Sequence, residues 1–155
     1  MKVMIAVKGS EEERFFRQAV ALLKPAEADS ILLVHTIDSA PRADLDQARE
    51  RFLIRRPISP DRNDELHEVE EGRARAVLQF ARHALVGSGV PDERVHEMTL
   101  RGKPNDELRR LAEQERVSLI VVQGRAGKPG PHSVGKTARF LIDHCPAAAL
   151  LIRSG

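Results

Sequence analysis

Short apolar segments alternate with helical segments along the whole chain, and this alternation constrains the fold more than any other feature of the sequence. Ser30–Ile37 includes four consecutive apolar residues, which is typical of a strand covered on both faces. The alternation predicts a single-domain α/β fold with a doubly wound, five-stranded parallel sheet of the Rossmann-like type. The predicted strands are Lys2–Val7, Ser30–Ile37, Arg94–Leu100, Leu119–Gln123 and Ala148–Ile152, with Arg94–Leu100 near an edge.

Four helices are predicted between the strands. Ser10 and Glu13 have the spacing of a capping box, in which each side chain bonds the other's backbone N–H. The predicted helices are Ser10–Lys24, Asp64–Val86, a helix opened by Pro104, and Gly135–His144. The apolar face predicted for the second helix consists of Leu66, Val69, Arg73, Val77, Phe80 and Ala84.

The segment from Ala43 to Asn63 gives the weakest pattern. Two helical turns fit Asp44–Phe52, and Pro57 and Pro60 then interrupt the pattern. The segment is longer than an ordinary connection, which is typical of a lid or an interface element. It is interpreted as a variable insertion between strand 2 and helix 2 of one domain spanning residues 1–155.

Charge and composition argue against several classes of partner. The 25 Lys and Arg residues nearly balance the 23 Asp and Glu residues, and the two signs are interleaved through Arg42–Arg75. There is no Trp or Tyr to stack on bases. The sequence therefore predicts no DNA or RNA partner.

Other features concern the compartment, disulfides and metals. The longest apolar runs, such as Ala147–Ile152, are too short to cross a membrane, and Met1 leads directly into a strand. A cytoplasmic protein without membrane contact is therefore expected. The single cysteine, Cys145, cannot form an internal disulfide and is expected to be a packed residue. The six histidines have no metal-ligand spacing, so no metal site is predicted.

A glycine-rich loop between the fourth strand and the last helix has the chemistry of a phosphate site. Glycines bring backbone N–H groups close to an anion, and a helix N-terminus adds unpaired N–H groups. Gly130–Thr137 fits the P-loop pattern GxxxxGK[ST], with Lys136 and Thr137 as phosphate ligands. A P-loop normally begins directly after its strand, whereas Gly130 lies seven residues beyond Gln123. A second pattern uses the glycines at Gly124, Gly127 and Gly135.

Parallel sheets place ligands outside the carboxyl ends of their strands, where the strand order reverses. This rule brings Val7–Ser10, Thr36 and the loop from Gln123 to Thr137 into one crevice. His35 and His144 are interpreted as structural histidines. His132, within the glycine loop, is a candidate ligand contact. No acid/base pair can be placed, so no catalytic residue is predicted.

The chain resembles the universal stress protein family over nearly its whole length. The matching stretches are MIAVKGSEEE at 4–13, ILLVHTID at 31–38, RGKPNDELRRLAEQERVSLIVVQGRAG at 101–127 and VGKTARFLIDHCPAAALLIR at 134–153. The resemblance implies a five-stranded doubly wound domain of the adenine nucleotide alpha-hydrolase-like type. It also implies a homodimer that pairs through the last strand and, in one subset, ATP binding without established catalysis.

The ATP-binding subset has the pattern G-x2-G-x9-G-[ST], and this chain matches it in part. Gly124 and Gly127 correspond to the first two glycines and Gly135 to the third, with seven residues between the last two. Lys136 stands at the Ser or Thr position, and Thr137 follows it. Lys8 occupies the position after the first strand where members often have an acid.

The resemblance implies a role for each residue of the crevice. Backbone N–H groups near Gly124, Gly127 and Gly135, with Lys136 and Thr137, would bind the phosphates of ATP, another adenine nucleotide or a different anion. Val7 and Thr36 would line the base or ribose, beside Gln123, and Lys8 would reach the anion. The leading hypothesis is a non-catalytic, dimeric regulatory module.

Two other functions stay open. The first is a ligand-free dimeric interaction module. The second is a P-loop-like ATP phosphohydrolase that uses Lys136 and Thr137. In each case Ala147–Ile152 is an apolar strand near the C-terminus, whose free edge favours a homodimer.

Overall fold

The computed structural model describes residues 1–26, 29–38, 60–125 and 130–153. Five strands and four helices follow one another in these ranges, with one 3-10 turn at Asp92–Arg94. The strands are β1 (Lys2–Val7), β2 (Ser30–Asp38), β3 (Val95–Gly102), β4 (Leu119–Gln123) and β5 (Ala148–Ile152). The helices are α1 (Glu13–Leu23), α2 (Pro60–Gly87), α3 (Pro104–Gln114) and α4 (Lys136–His144).

All five strands are parallel, in the order β3-β2-β1-β4-β5. The predicted α/β fold class is confirmed, and β3 lies at an edge as expected. Strand order reverses at β1, which pairs with β2 on one side and β4 on the other. The carboxyl end of β1 meets that of β2, where Val7 is the register partner of His35. The crevice expected for a ligand therefore opens beside Val7.

The helices cover both faces of the sheet and enclose two separate cores. Residues of β1 alternate between them, because successive side chains of a strand point to opposite faces. Ile5 packs in the core under α1 and α2, which includes Phe16 and Leu85. Met4 packs in the other core, under α3 and α4, with Leu108 and Leu141 as members. This doubly covered sheet explains the continuous apolar character of its central strands.

The apolar face predicted for α2 was wrong, apart from Ala84, which is buried, and Val77, which packs against the core. Leu66, Val69 and Phe80 are 46%, 68% and 50% exposed, and Arg73 is also exposed, with Val77 half-buried. The buried face instead combines two alanines with two leucines. Its fully buried or nearly fully buried members are Ala74, Leu78, Ala81 and Leu85.

The beginning of α2 also corrects the sequence-based boundaries. The helix starts at Pro60, so residues 60–63 of the predicted insertion belong to it. The rest of that insertion lies outside the described residues. Further along α2, two ion pairs connect the helix to β3: Arg101 of β3 contacts Glu70 at 3.1 Å and Glu71 at 2.7 Å. The hydrogen bond from Arg101 lowers the pKa of the Glu71 carboxyl.

The predicted capping box of α1 does not form. The N-cap residue is Glu12, which makes no side-chain cap bond. Instead Glu11, only 7% exposed, turns its carboxylate towards the end of β1. Its Oε1 accepts from the N–H of Lys8 at 2.7 Å, and its Oε2 accepts from the N–H of Gly9 at 2.8 Å. An acidic side chain therefore fixes the loop that carries Lys8.

No helix among the described residues is long and apolar enough to cross a membrane.

Candidate functional site

A cavity of about 210 Å³ opens at the carboxyl ends of β1, β2 and β4, on the face covered by α3 and α4. Apolar side chains, including Val34, Leu108 and Val122, contribute much of its lining. Five of the predicted site residues line it together, as the crevice rule required. These five are Val7, Lys8, Thr36, Gln123 and Thr137.

Thr36 carries the most informative polar atom of this cavity. Its Oγ1 is buried and has no hydrogen-bond partner among the residues that the structure describes. A buried hydroxyl without a partner loses its hydration and gains nothing in return, at a cost of about 1–3 kcal/mol. Because Thr36 lines the cavity, a ligand with a polar edge could supply the missing bond.

His35 lines the same cavity with a fixed tautomer. Its Nδ1 lies 2.9 Å from the carbonyl oxygen of Val7. A carbonyl oxygen can only accept, so Nδ1 carries the proton and donates it. This bond joins the ends of the neighbouring strands β1 and β2, which agrees with the structural role expected for His35. His144 is likewise bonded, through Nδ1, to the carbonyl of Phe140 at 2.9 Å.

The glycine loop turns back on itself before α4 begins. The N–H of Arg125 donates to the carbonyl of Ser133 at 2.8 Å. A Cβ on Gly124 would lie 3.3 Å from that same carbonyl oxygen, so the close approach favours glycine. The Gly124 N–H donates to the carbonyl of Ile152 at 2.8 Å. That N–H is therefore already bonded, and Gly124 does not line the cavity described above, so the phosphate contact expected near Gly124 stays a prediction.

Gly135 forms the N-cap of α4 with φ of +87°, a conformation that L side chains rarely adopt. A glycine cap has no side chain to bond the first N–H groups of the helix, and no side-chain cap bond is made. Two cations lie against this residue. The Nζ of Lys8 and the Nε of Arg125 are 3.9 Å and 3.8 Å from where a Cβ of Gly135 would be.

A second cavity, a basic groove of about 410 Å³, begins at the same helix start. Lys136 lines this groove and Thr137 lines the first cavity, so the two meet at the first turn of α4. His132 also lines the groove, as the sequence suggested. The full lining is Arg125, Pro131, His132, Gly135, Lys136 and Arg139.

The P-loop interpretation of Gly130–Thr137 finds little support in this geometry. The N–H of Ser133 donates to the carbonyl of Gly130 at 3.1 Å, and the Gly130 N–H lies 3.4 Å from Ser133 Oγ. Both groups are thus used inside a local turn, whereas a P-loop directs its N–H groups at a phosphate. Lys136 and Thr137 retain their places at the helix start. Gly127 lies outside the described residues.

Three residues of this region were not predicted from the sequence. Arg125 and Arg139 line the groove, and Glu11 holds the loop that carries Lys8. Arg139 lies three residues after Lys136 in α4, which is the helical spacing that could have identified it. Cys145 is buried as expected, and burial raises the pKa of its thiol.

Within the ranges that the structure describes, no three His, Cys, Asp or Glu side chains are grouped so that they could hold a metal ion.

The sequence profile of the universal stress protein family matches residues 1–153. The chain belongs to the universal stress protein family. No curated protein sequence matches it.

Solved structures of the universal stress protein family share this fold at low sequence identity. UspA from Lactobacillus plantarum is 18% identical with a TM-score of 0.67, and the match covers 99% of this chain and 97% of that chain. The Archaeoglobus fulgidus universal stress protein in complex with dAMP is 17% identical with a TM-score of 0.64, over 98% and 97%. A family member from Arabidopsis thaliana with AMP bound is 17% identical with a TM-score of 0.64, over 100% and 92%.

Proposed function

We propose that this universal stress protein is a non-catalytic regulatory module that binds an adenine nucleotide in the crevice beside β1. One observation carries the proposal. A largely apolar cavity at the point where strand order reverses opens directly onto a helix N-terminus with no side-chain cap, beside two cations, Lys8 and Arg125. The apolar cavity suits an aromatic base, and the helix N-terminus with its nearby cations suits a phosphate.

The volumes of the inner cavity and of the basic groove indicate which part of the ligand each would hold. Binding clefts for small molecules usually measure about 300–1,000 Å³. The inner cavity, at about 210 Å³, is smaller than that range, whereas the adjoining groove adds about 410 Å³. The base and ribose would occupy the inner cavity, near Val7, Thr36 and Gln123. The phosphates would lie at the start of α4, near Lys8 and Lys136.

Relatives of the same fold support an adenine ligand. The Archaeoglobus fulgidus protein was solved with dAMP and the Arabidopsis thaliana protein with AMP. Because these proteins are only 17% identical to this chain, the residues that would hold the ligand here must be tested directly.

Calorimetric titration with AMP tests the proposal, with Thr36→Val as the decisive variant. Valine keeps the branched shape of threonine and replaces the hydroxyl with a methyl group. We expect AMP to bind the wild type and to bind the variant about tenfold more weakly, the equivalent of one lost hydrogen bond. The ligand-free variant should be at least as stable as the wild type, since the hydroxyl it replaces is buried without a partner in the described part of the chain.

The two readouts have opposite signs, which separates a binding role from a general loss of folding. Absence of heat with AMP, ADP, ATP and cyclic AMP in the wild type would eliminate the nucleotide proposal. Unchanged AMP affinity in Thr36→Val would remove Thr36 from the site.

The universal stress protein is also proposed to form a homodimer through β5. The two edges of the sheet differ in the charge of the side chains along them. β3 contains Arg101, and Arg82 of α2 bonds both Glu97 and the carbonyl of Val95, so charged side chains lie along that edge. β5 consists of Ala148–Ile152, which are all apolar. Charged edges discourage pairing between sheets, whereas apolar edges permit it.

A pair of proline variants tests the dimer by sedimentation. Within β5, the Ala148 N–H donates to Ser118 and the Ile152 carbonyl accepts from Gly124, so these backbone groups face β4. Alternation along the strand places the N–H of Ala149 on the free edge. We expect Ala149→Pro to sediment as a monomer and to keep its fold.

Ala148→Pro is the matched control, because it removes an N–H that is bonded inside the chain. It should lower the free energy of unfolding. A wild type that is monomeric at all working concentrations would reject the dimer.

A further inference from the structure

The ionisable side chains that line the two cavities, taken over the described residues, carry no negative charge. They are the cations Lys8, Arg125, Lys136 and Arg139, together with His35 and His132. The nearest carboxylate on the β1 loop is that of Glu11. It is bonded to backbone N–H groups and lines a different cavity, between α1 and α2.

These four cations also lack ion-pair partners in the part of the chain that the structure describes. Some other basic residues of the surface are paired, as Arg17 is with Glu13 at 2.8 Å and Arg82 with Glu97 at 2.7 Å. Lys8 and Arg125 lie against the same glycine, so their charges repel each other. An anion between them would remove that repulsion and gain two attractive contacts.

The cations continue along the groove beyond the helix start. Lys136 and Arg139 are three residues apart in α4, which places them on one face of the helix. Both line the groove. A single phosphate at Gly135 would meet the first cations, and a longer phosphate chain would also reach Arg139.

We propose that the groove binds the di- or triphosphate chain of a nucleotide as a free polyanion, without a bridging divalent cation. The inference rests on the proposed nucleotide site and adds the ligand class. Divalent cations bound with phosphates are usually held by carboxylate oxygens. In this groove, cations of the protein take the place of such carboxylates. Mg²⁺ bound to the phosphates would reduce the negative charge of the ligand, which is what these cations attract.

The test compares ATP with AMP by calorimetric titration, first in EDTA and then in excess Mg²⁺. We expect ATP to bind more tightly than AMP in EDTA. Adding Mg²⁺ should weaken the binding of ATP and leave the affinity for AMP nearly unchanged. Raising the salt concentration should weaken ATP more than AMP, because more charges are screened.

Arg139→Gln should weaken ATP about tenfold in EDTA and leave AMP unchanged, since only the longer chain reaches it. Arg17→Gln removes a similar exposed cation from α1, on the opposite face of the sheet, and should change neither affinity. Thermal unfolding of both variants checks that they fold.

The outcomes separate this inference from the nucleotide proposal. Stronger ATP binding with Mg²⁺, or equal affinities for ATP and AMP in EDTA, would overturn the polyanion groove and leave the nucleotide site intact. If no nucleotide binds but inorganic tripolyphosphate does, and Arg139→Gln weakens it, the groove stands and the nucleotide proposal fails. If neither nucleotides nor tripolyphosphate bind, both fail.

Discussion

Replacing Glu11 with glutamine is expected to lower the free energy of unfolding by about 1.5–3 kcal/mol, the range for hydrogen bonds to charged groups. The carboxylate accepts two backbone N–H groups, from Lys8 at 2.7 Å and Gly9 at 2.8 Å, in a position only 7% exposed. Glutamine has one oxygen to accept with, and its NH₂ group would face the other N–H. One of the two N–H donors would therefore lose its partner. Urea denaturation measures the change.

Glu12→Gln is the matched control for this substitution. Glu12 is exposed and makes no side-chain cap bond, so the same chemical change should alter stability by less than about 0.5 kcal/mol. Because Glu11 holds the loop that carries Lys8, Glu11→Gln should also weaken nucleotide binding, whereas Glu12→Gln should not. Equal effects of the two variants would contradict the structural role given to Glu11.

Burial explains why the sheet could be predicted and one helix face could not. The central strands could be predicted because parallel strands inside a sheet are covered on both faces, so their sequence is almost continuously apolar. In α2 the large apolar residues Leu66, Val69 and Phe80 recur at helical spacing, yet they are exposed. The helix packs with Ala74 and Ala81 instead. Small residues allow close contact with the core but contribute little to an apolar pattern.

Some residues of the site could likewise be predicted from the sequence, and others could not. The rule for parallel sheets placed Val7, Thr36 and Gln123 in one crevice, because it depends only on strand order and direction. It could not identify Arg125, whose position at Gly135 follows from the fold of the loop. Nor could it identify Glu11, since the bonding of its carboxylate to the β1 loop competes with the capping box that the sequence suggested. Contacts made by irregular backbone carry no periodic signal.

The largest loss of stability is expected from Phe16→Ala, at about 3–5 kcal/mol, which is typical for a buried phenylalanine. Phe16 is 1% exposed and packs edge-to-face on Phe15, with ring centroids 5.0 Å apart. Removing its ring would leave a cavity in the core under α1 and α2. Since natural domains are stable by only about 5–15 kcal/mol, urea denaturation should show a much earlier midpoint.

Phe80→Ala makes the same chemical change at the rim of that core. The rings of Phe16 and Phe80 lie edge to face, with centroids 6.3 Å apart, but Phe80 is 50% exposed. Its loss should therefore cost about 1 kcal/mol, near the average for a point substitution. If it instead costs as much as Phe16→Ala, Phe80 must be covered in solution. A cost that depends on protein concentration would then identify a second copy of the chain as the cover, because only a bound partner makes stability depend on concentration.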